Sequence, residues 1–254
     1  MAKPTKYNIL RHESAGEQEE RARFVDLLKS SPIPDNEILQ NLGLYTNRKS
    51  LSRLLYIHDL YQQILNTHGV VIEFGVRWGQ NLALFESLRG IYEPYNYTRR
   101  IIGFDTFAGH ASIDPKDGLV KTRDKEGAYG VGQDYESYLK QVLKYHEGES
   151  PIAHIQKFEL VKGDAVKTAP AYFKKHPEVI VALAYFDFGL YRPTKACLEA
   201  VLPHLGRGSI VAFDELGKAE YPGETLAAKE ILDLKRFHLR RSLINSYPSY
   251  IVME

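Results

Sequence analysis

A single cysteine, Cys197, leaves the chain unable to close a disulfide within itself, which fits a reducing cytoplasm better than an oxidising compartment. Set in Lys195-Ala196-Cys197-Leu198, a helical stretch, it reads as an inert buried thiol. Charge of one sign is also missing. With 33 Lys and Arg against 32 Asp and Glu, neither nucleic acid nor an anionic membrane surface is an expected partner. Long apolar runs are absent too. The longest, Val179 to Phe186, is far too short to span a bilayer, and Met1 to Lys6 leads into polar sequence without the apolar stretch of a signal peptide. The rest is ordinary globular composition, 44% hydrophobic and 26% charged over 254 residues, enough for a core of normal size.

The first 68 residues hold helix patterns and no strand. Residues 14–30 predict an amphipathic helix with Phe24, Val25, Leu27 and Leu28 on one side, stopped by Ser31-Pro32-Ile33-Pro34. A short helix is expected over 35–41 and a firmer one over 48–67, where Leu51, Leu54, Leu55, His58, Tyr61, Ile64 and Leu65 recur at helical spacing. This part reads as an N-terminal helical extension (1–68) to a main domain (69–254). A cap over a site, a contact between subunits, and plain packing on the domain are all open roles for it.

From Val70 the pattern alternates. Strands are expected at 70–74, 100–105, 155–162, 180–186 and 208–213, with helices at 80–88, 134–147, 168–175, 193–203 and 223–235 between and after them. Residues 108–133, with five glycines, read as a long loop that either closes over a site or is simply exposed. Two last strands, 238–244 and 249–253, flank the turn Asn245-Ser246-Tyr247-Pro248. Alternating strand and helix predicts an α/β fold with a mostly parallel, doubly wound sheet, here ending in an antiparallel hairpin.

Four of those strands end in acids: Glu73, Asp105, Asp187 and Asp214. Carboxylates are costly inside an apolar sheet, but the carboxyl ends of parallel strands open on the ligand crevice. The first strand runs into Glu73-Phe74-Gly75-Val76-Arg77-Trp78-Gly79. Gly75 permits a tight turn, and Gly79 is expected to let a ligand approach the next helix. The loop lacks the Gly-x-Gly-x-x-Gly spacing that cradles a pyrophosphate, so a phosphate-free cofactor is favoured over NAD. S-adenosylmethionine (SAM) fits, its ammonium met by an acidic strand end and its carboxylate by loop or helix N-terminal amides. Asp105, 32 residues after Glu73, is placed for the ribose hydroxyls, and Asp164 in Lys162-Gly163-Asp164-Ala165 for the adenine amino group. Each of these also has a plainer reading as a turn or cap residue.

The segments Val-Ile-Glu-Phe-Gly-Val-x-x-Gly (71–79), Ile-Ile-Gly-Phe-Asp-Thr-Phe (101–107), Ala-Tyr-Phe-Asp-Phe (184–188), Ile-Val-Ala-Phe-Asp-Glu-Leu (210–216) and Tyr-Pro-Gly-Glu-Thr (221–225) resemble the macrocin O-methyltransferase family over roughly residues 45–254. The resemblance implies a Rossmann-like class I SAM methyltransferase with a seven-stranded sheet, acting on a sugar hydroxyl in antibiotic biosynthesis, oligomeric and commonly metal-dependent. It assigns Glu73, Gly75 and Gly79, with Phe74, Val76 and Asn81, to the amino-acid end of SAM. Asp105, Thr106 and Phe107 fall at the ribose and adenine, and Gly163, Asp164 and Ala165 at the adenine. Asp187 falls beside the cofactor as well and, with Asp214 and Glu215, matches metal-binding acids.

Three carboxylates on neighbouring strand ends suit a hard cation such as Mg²⁺, which would acidify and orient the acceptor hydroxyl. They suit equally a structural hydrogen-bond network, or direct contact with the SAM ammonium. Relatives read Phe-Asp-x-Asp-Leu-Tyr where this chain has Phe186-Asp187-Phe188-Gly189-Leu190-Tyr191, so a general base is missing at Gly189. Asp187 and His110 are the catalytic candidates by residue type, with Glu224 and Tyr191 behind them. Two other functions stay open: a SAM-binding protein without catalysis, and an NAD-linked oxidoreductase.

Overall fold

The apolar runs form the middle of one sheet. A computed structural model of the chain describes residues 14–118 and 125–254. Its strands are β1 (Val70–Phe74), β2 (Ile101–Asp105), β3 (Phe158–Lys162), β4 (Val181–Phe186), β5 (Leu205–Phe213), β6 (Arg240–Arg241) and β7 (Ser249–Val252). They lie in the order β3-β2-β1-β4-β5-β7-β6. The first five are parallel, and β7 runs antiparallel to β5, Ile210 facing Val252 and Phe213 facing Ser249. This is the expected class I methyltransferase sheet. The order reverses at β1, between β2 and β4, which puts the crevice at the carboxyl ends of those strands.

Alternate residues of each central strand feed two cores, as the two-residue period of a strand requires. On one face Val71, Ile101, Leu183, Tyr185, Ile210 and Ala212 meet α3 (Arg48–Gln63), α4 (Gln80–Tyr92) and α5 (Tyr135–Gly148). On the other, Ile72, Ile102, Ala184 and Val211 meet α6 (Ala165–Lys175), α7 (Tyr191–Val201) and α8 (Pro222–Ile231). Phe104, Phe74, Phe186 and Phe213 pair in register across β2, β1, β4 and β5, with ring centroids 5.1, 4.8 and 5.2 Å apart. This aromatic row closes the core just below the strand ends, and the acids Asp105, Asp187 and Asp214 stand at or one residue past it.

Two helices precede α3. The first, α1 (Ala15–Lys29), starts in a capping box between Ser14 and Glu17 but buries none of its residues, and Val25 and Leu27 are exposed. The second, α2 (Asp35–Ile38), continues into a 3-10 helix over Leu39–Tyr45. By contrast, α3 is part of the core: Tyr56, Ile57, Leu60, Tyr61 and Ile64 are buried in the cluster that holds β1. Arg99 secures it there, donating to the carbonyls of Ile64, Thr67 and Gly69 and to Glu93. The terminal strands are shorter than the pattern suggests, because only Arg240 and Arg241 pair with β7. Cys197 is fully buried, and burial raises its thiol pKa, as an inert thiol requires. No helix among the described residues is long and apolar enough to cross a membrane.

Candidate cofactor and acceptor site

The loop after β1 is shaped by its neighbours. Gly75 has φ +96°, and a Cβ there would lie 2.4 Å from the carbonyl oxygen of Asp187. The glycine therefore lets the ends of β1 and β4 touch. Asp105 holds the next residues: its Oδ2 accepts from the backbone of Val76 and Arg77 at 2.8 Å each, and its Oδ1 from Phe107 at 2.6 Å. A carboxylate has about four acceptor positions, so three are already used and little remains for a ribose. Gly79 serves packing as well as the cleft: it has φ +77° and caps α4, and a Cβ would sit 2.4 Å from the side chain of Leu139, so its bareness also makes room for α5.

A network of charges joins β1, β4 and β5. Glu73 is buried. Its Oε1 accepts from Asn81 Nδ2 at 2.7 Å, and its Oε2 has no partner. Burial, then the charge of Asp187, pushes its pKa well above the usual carboxylate range. Arg53 of α3 reaches in from the side. Its Nε donates to Asn81 Oδ1 at 3.2 Å, one Nη to Asp187 Oδ2 at 2.7 Å, and the other to Asp214 Oδ1 at 3.2 Å. The Tyr185 hydroxyl also donates to Asp214 Oδ1, at 2.7 Å. Burial works against the guanidinium charge, but Asp214, Tyr185 and Asp187 hold its pKa above the ordinary value. Burial, then Asp214, pushes the Asp187 carboxyl up to about 7, against the pull of Arg53.

All of these groups except the buried Tyr185 line a cleft of 440 Å³. Glu73, Gly75, Val76, Gly79, Asn81, Asp105, Thr106, His110, Gly163, Asp164, Ala165, Asp187, Asp214 and Glu215 all face it, so the structure gathers nearly every residue the sequence nominated. Two are not gathered. Phe74 lies in the aromatic row below, and Phe107, at φ +56°, turns into the core beside α5. Asp164 also caps α6, its Oδ1 accepting from Val166 at 3.1 Å. A buried polar atom of the cleft, the Oε2 of Glu73, has no partner, and an ammonium such as SAM carries would supply a donor there and favour the charged carboxylate against the burial that raises its pKa.

The metal expectation fares differently. Among the described residues no group of three or more His, Cys, Asp or Glu side chains is arranged to hold a metal ion. The reason is physical: Arg53 already lies between Asp187 and Asp214, and Lys218 pairs with Glu215 Oε1 at 2.9 Å. The acids as arranged are bound to side-chain cations and do not fit Mg²⁺.

Gly189 has φ +64°, and a Cβ there would lie 2.9 Å from Glu215 Oε2 and 3.2 Å from the Tyr221 ring. A side chain at 189 would therefore run into Glu215 and Tyr221, both from the loop after β5. Glu224 is fully buried and accepts from the backbone of Glu215 at 3.0 Å and Gly189 at 3.3 Å, tying the two loops; it does not line the cleft. Tyr191 is likewise outside it, its hydroxyl bound to Glu230 and Lys116. His110 faces the cleft with its ring 5.1 Å from that of Tyr129. Neither Arg53 nor Tyr185 was legible as a site residue. The one signal for Arg53 is its place on the stripe of α3 that continues to Tyr56, Ile57 and Leu60, where an arginine needs buried partners.

No family model and no curated protein sequence matches the chain. Solved structures do. A crystal structure of CalS11, a calicheamicin methyltransferase, is 42% identical with a TM-score of 0.92, covering 99% of this chain and 98% of that one. The apo structure of CalS11, a TDP-rhamnose 3'-O-methyltransferase of calicheamicin biosynthesis, is 42% identical with a TM-score of 0.84, covering 96% of each. The O-methyltransferase NovP, 16% identical with a TM-score of 0.59 over 80% of this chain and 79% of its own, shares the fold. Full-length identity to CalS11 and the methyltransferase strand order agree, and they leave no room for an NAD-type oxidoreductase: the chain belongs to the SAM-dependent O-methyltransferase family of CalS11.

Proposed function

We propose that this protein methylates one hydroxyl of a deoxysugar, carried on a nucleoside diphosphate as rhamnose is for CalS11, in antibiotic biosynthesis. The observation that carries the reading is the cleft itself. It sets the orphan acceptor of Glu73 beside Asp187, in a chain 42% identical to a TDP-rhamnose 3'-O-methyltransferase.

SAM supplies an electrophilic methyl group on its sulfonium. Glu73 receives the ammonium on Oε2 while Asn81 fixes Oε1. Gly75 and Val76 line the amino-acid end, Gly163, Asp164 and Ala165 the adenine, and Thr106 the ribose, where Asp105 has one acceptor position left on Oδ1 beside its bond from Phe107. Asp187 takes the proton of the acceptor hydroxyl. A carboxylate pushed up to about 7 is a far better base at neutral pH than an ordinary one. His110 is the second acid–base group facing the cleft, and Asp187→Asn and His110→Gln separate the two roles. Asp187, Asp214 and Glu215 reach a divalent cation only by giving up Arg53 and Lys218, so no step is assigned to a metal.

The sequence divides the chain into an extension (1–68) and a main domain (69–254); in this reading α3, which is buried in the sheet's core and supplies Arg53, works with the catalytic domain, and only the part before it is an extension. We place the protein in the cytoplasm as a homo-oligomer. The exposed Leu39, Leu42 and Leu44 support a contact between copies, which light scattering tests.

The test of function is incubation with SAM and TDP-rhamnose, followed by NMR of the sugar. A new methyl ether is expected. Binding of S-adenosylhomocysteine (SAH) without product from any TDP-deoxysugar would point instead to a protein that binds the cofactor and has lost catalysis.

A further inference from the structure

We propose that Arg53 is a positioning residue through which α3 completes the active site, aiming Asp187 at the acceptor and tying that aim to the cofactor end of the cleft. The inference rests on the methyl-transfer reading above. All three nitrogens of the guanidinium are used, each on a different element. Nε holds Asn81 of α4, one Nη holds Asp187 after β4, and the other holds Asp214 after β5.

Asn81 passes the connection on. Its amide oxygen accepts from Arg53 while its nitrogen donates to Glu73 Oε1, so Glu73, Asn81, Arg53 and Asp187 form one unbroken chain. The chain begins at the acceptor assigned to the cofactor ammonium and ends at the group assigned to the acceptor proton. Arg53 grips Asp187 by Oδ2, which leaves Oδ1 for the substrate hydroxyl. Asp214 cannot swing away to release it, because Tyr185 holds the same Oδ1 that Arg53 holds.

A planar fork is needed for this. A lysine ammonium is a point charge that can pair with one carboxylate but cannot keep two acids and an amide in fixed directions. The side chain also has room to act without blocking the cleft, since it is 28% exposed on the wall that the cleft shares with α3.

The test uses the full chain with Arg53→Gln and Arg53→Lys. Initial rates with SAM and TDP-rhamnose give kcat and KM, and calorimetry gives SAH affinity. Misdirecting a reacting group by about 1 Å costs about 100-fold, so Arg53→Gln is expected to lose about that much in kcat, with SAH affinity within about twofold of wild type. Arg53→Lys is expected to recover about tenfold, because one of the two carboxylates keeps a cation.

Retained kcat in Arg53→Gln would overturn the proposal. So would a loss confined to SAM KM and SAH affinity, which would make the guanidinium a cofactor ligand. A crystal structure of Arg53→Gln with SAH decides the same point without an acceptor. Asp187 is expected in a changed or mixed rotamer, and an unmoved Asp187 refutes its positioning by Arg53. Failure of the wild type to methylate TDP-rhamnose would count against the substrate reading, and that crystallographic result would still stand.

Discussion

Placing an aspartate at position 189 supplies the acid that the family resemblance implies there, yet the structure predicts that it does harm. The backbone there has φ +64°, where a side chain in place of glycine costs about 1 kcal/mol. The new Cβ would stand 2.9 Å from Glu215 Oε2 and 3.2 Å from the Tyr221 ring. Glu215 cannot retreat without leaving Lys218, which holds its other oxygen at 2.9 Å. Two carboxylates about 4 Å apart at the effective dielectric of a near-surface site repel by about 4 kcal/mol, a cost capped when one of them takes up a proton. Gly189→Asp is therefore expected to lose about 3 kcal/mol of stability in urea denaturation, and Gly189→Ala, which carries the backbone and contact terms without the charge, about 1–2 kcal/mol. Turnover should fall in both variants, because Glu215 and Tyr221 both line the cleft. The reasoning fails if Gly189→Asp unfolds at the wild-type urea concentration with equal or higher kcat. Glu215 would then not crowd position 189.

Glu73→Gln should move two measurements in opposite directions. SAH affinity drops by about 10- to 100-fold as a charged hydrogen bond becomes a neutral one, while urea stability stays level or rises because a desolvated carboxyl is gone. A pH–rate profile should show kcat rising as pH increases through about 7, since Asp187 is protonated and idle below its raised pKa and ionised above it. Asp187→Asn should remove that limb and about 100-fold or more of the rate. Arg99→Ala should cost about 3–5 kcal/mol in urea denaturation by removing the cation paired with Glu93, which keeps its bonds from Tyr61 and Asn96, and the donor shared by three carbonyls; a loss below 1 kcal/mol would show that α3 is not held by Arg99.

The linear chain by itself determined the alternation of elements, and with it the sheet, the side on which the crevice opens and the acids that face it. Short continuous apolar runs that lead into Glu73, Asp105, Asp187 and Asp214 have few other ways to fold, because both faces of each central strand must be covered and the acids belong at the strand ends. Glycine was legible as a turn former but not in its purpose. Which atom approaches Gly75, Gly79 or Gly189 depends on the partner loop, and for all three that partner lies more than twenty residues away in sequence. Only the tertiary structure decided what the acids are paired with. Arg53 is separated from Asp187 by 134 residues and from Asp214 by 161, and no local pattern encodes which cation will stand between two carboxylates. Packing α3 on the sheet delivers a guanidinium to the place where the sequence suggested a metal, because the same buried stripe that fixes the helix also carries its arginine to the strand ends.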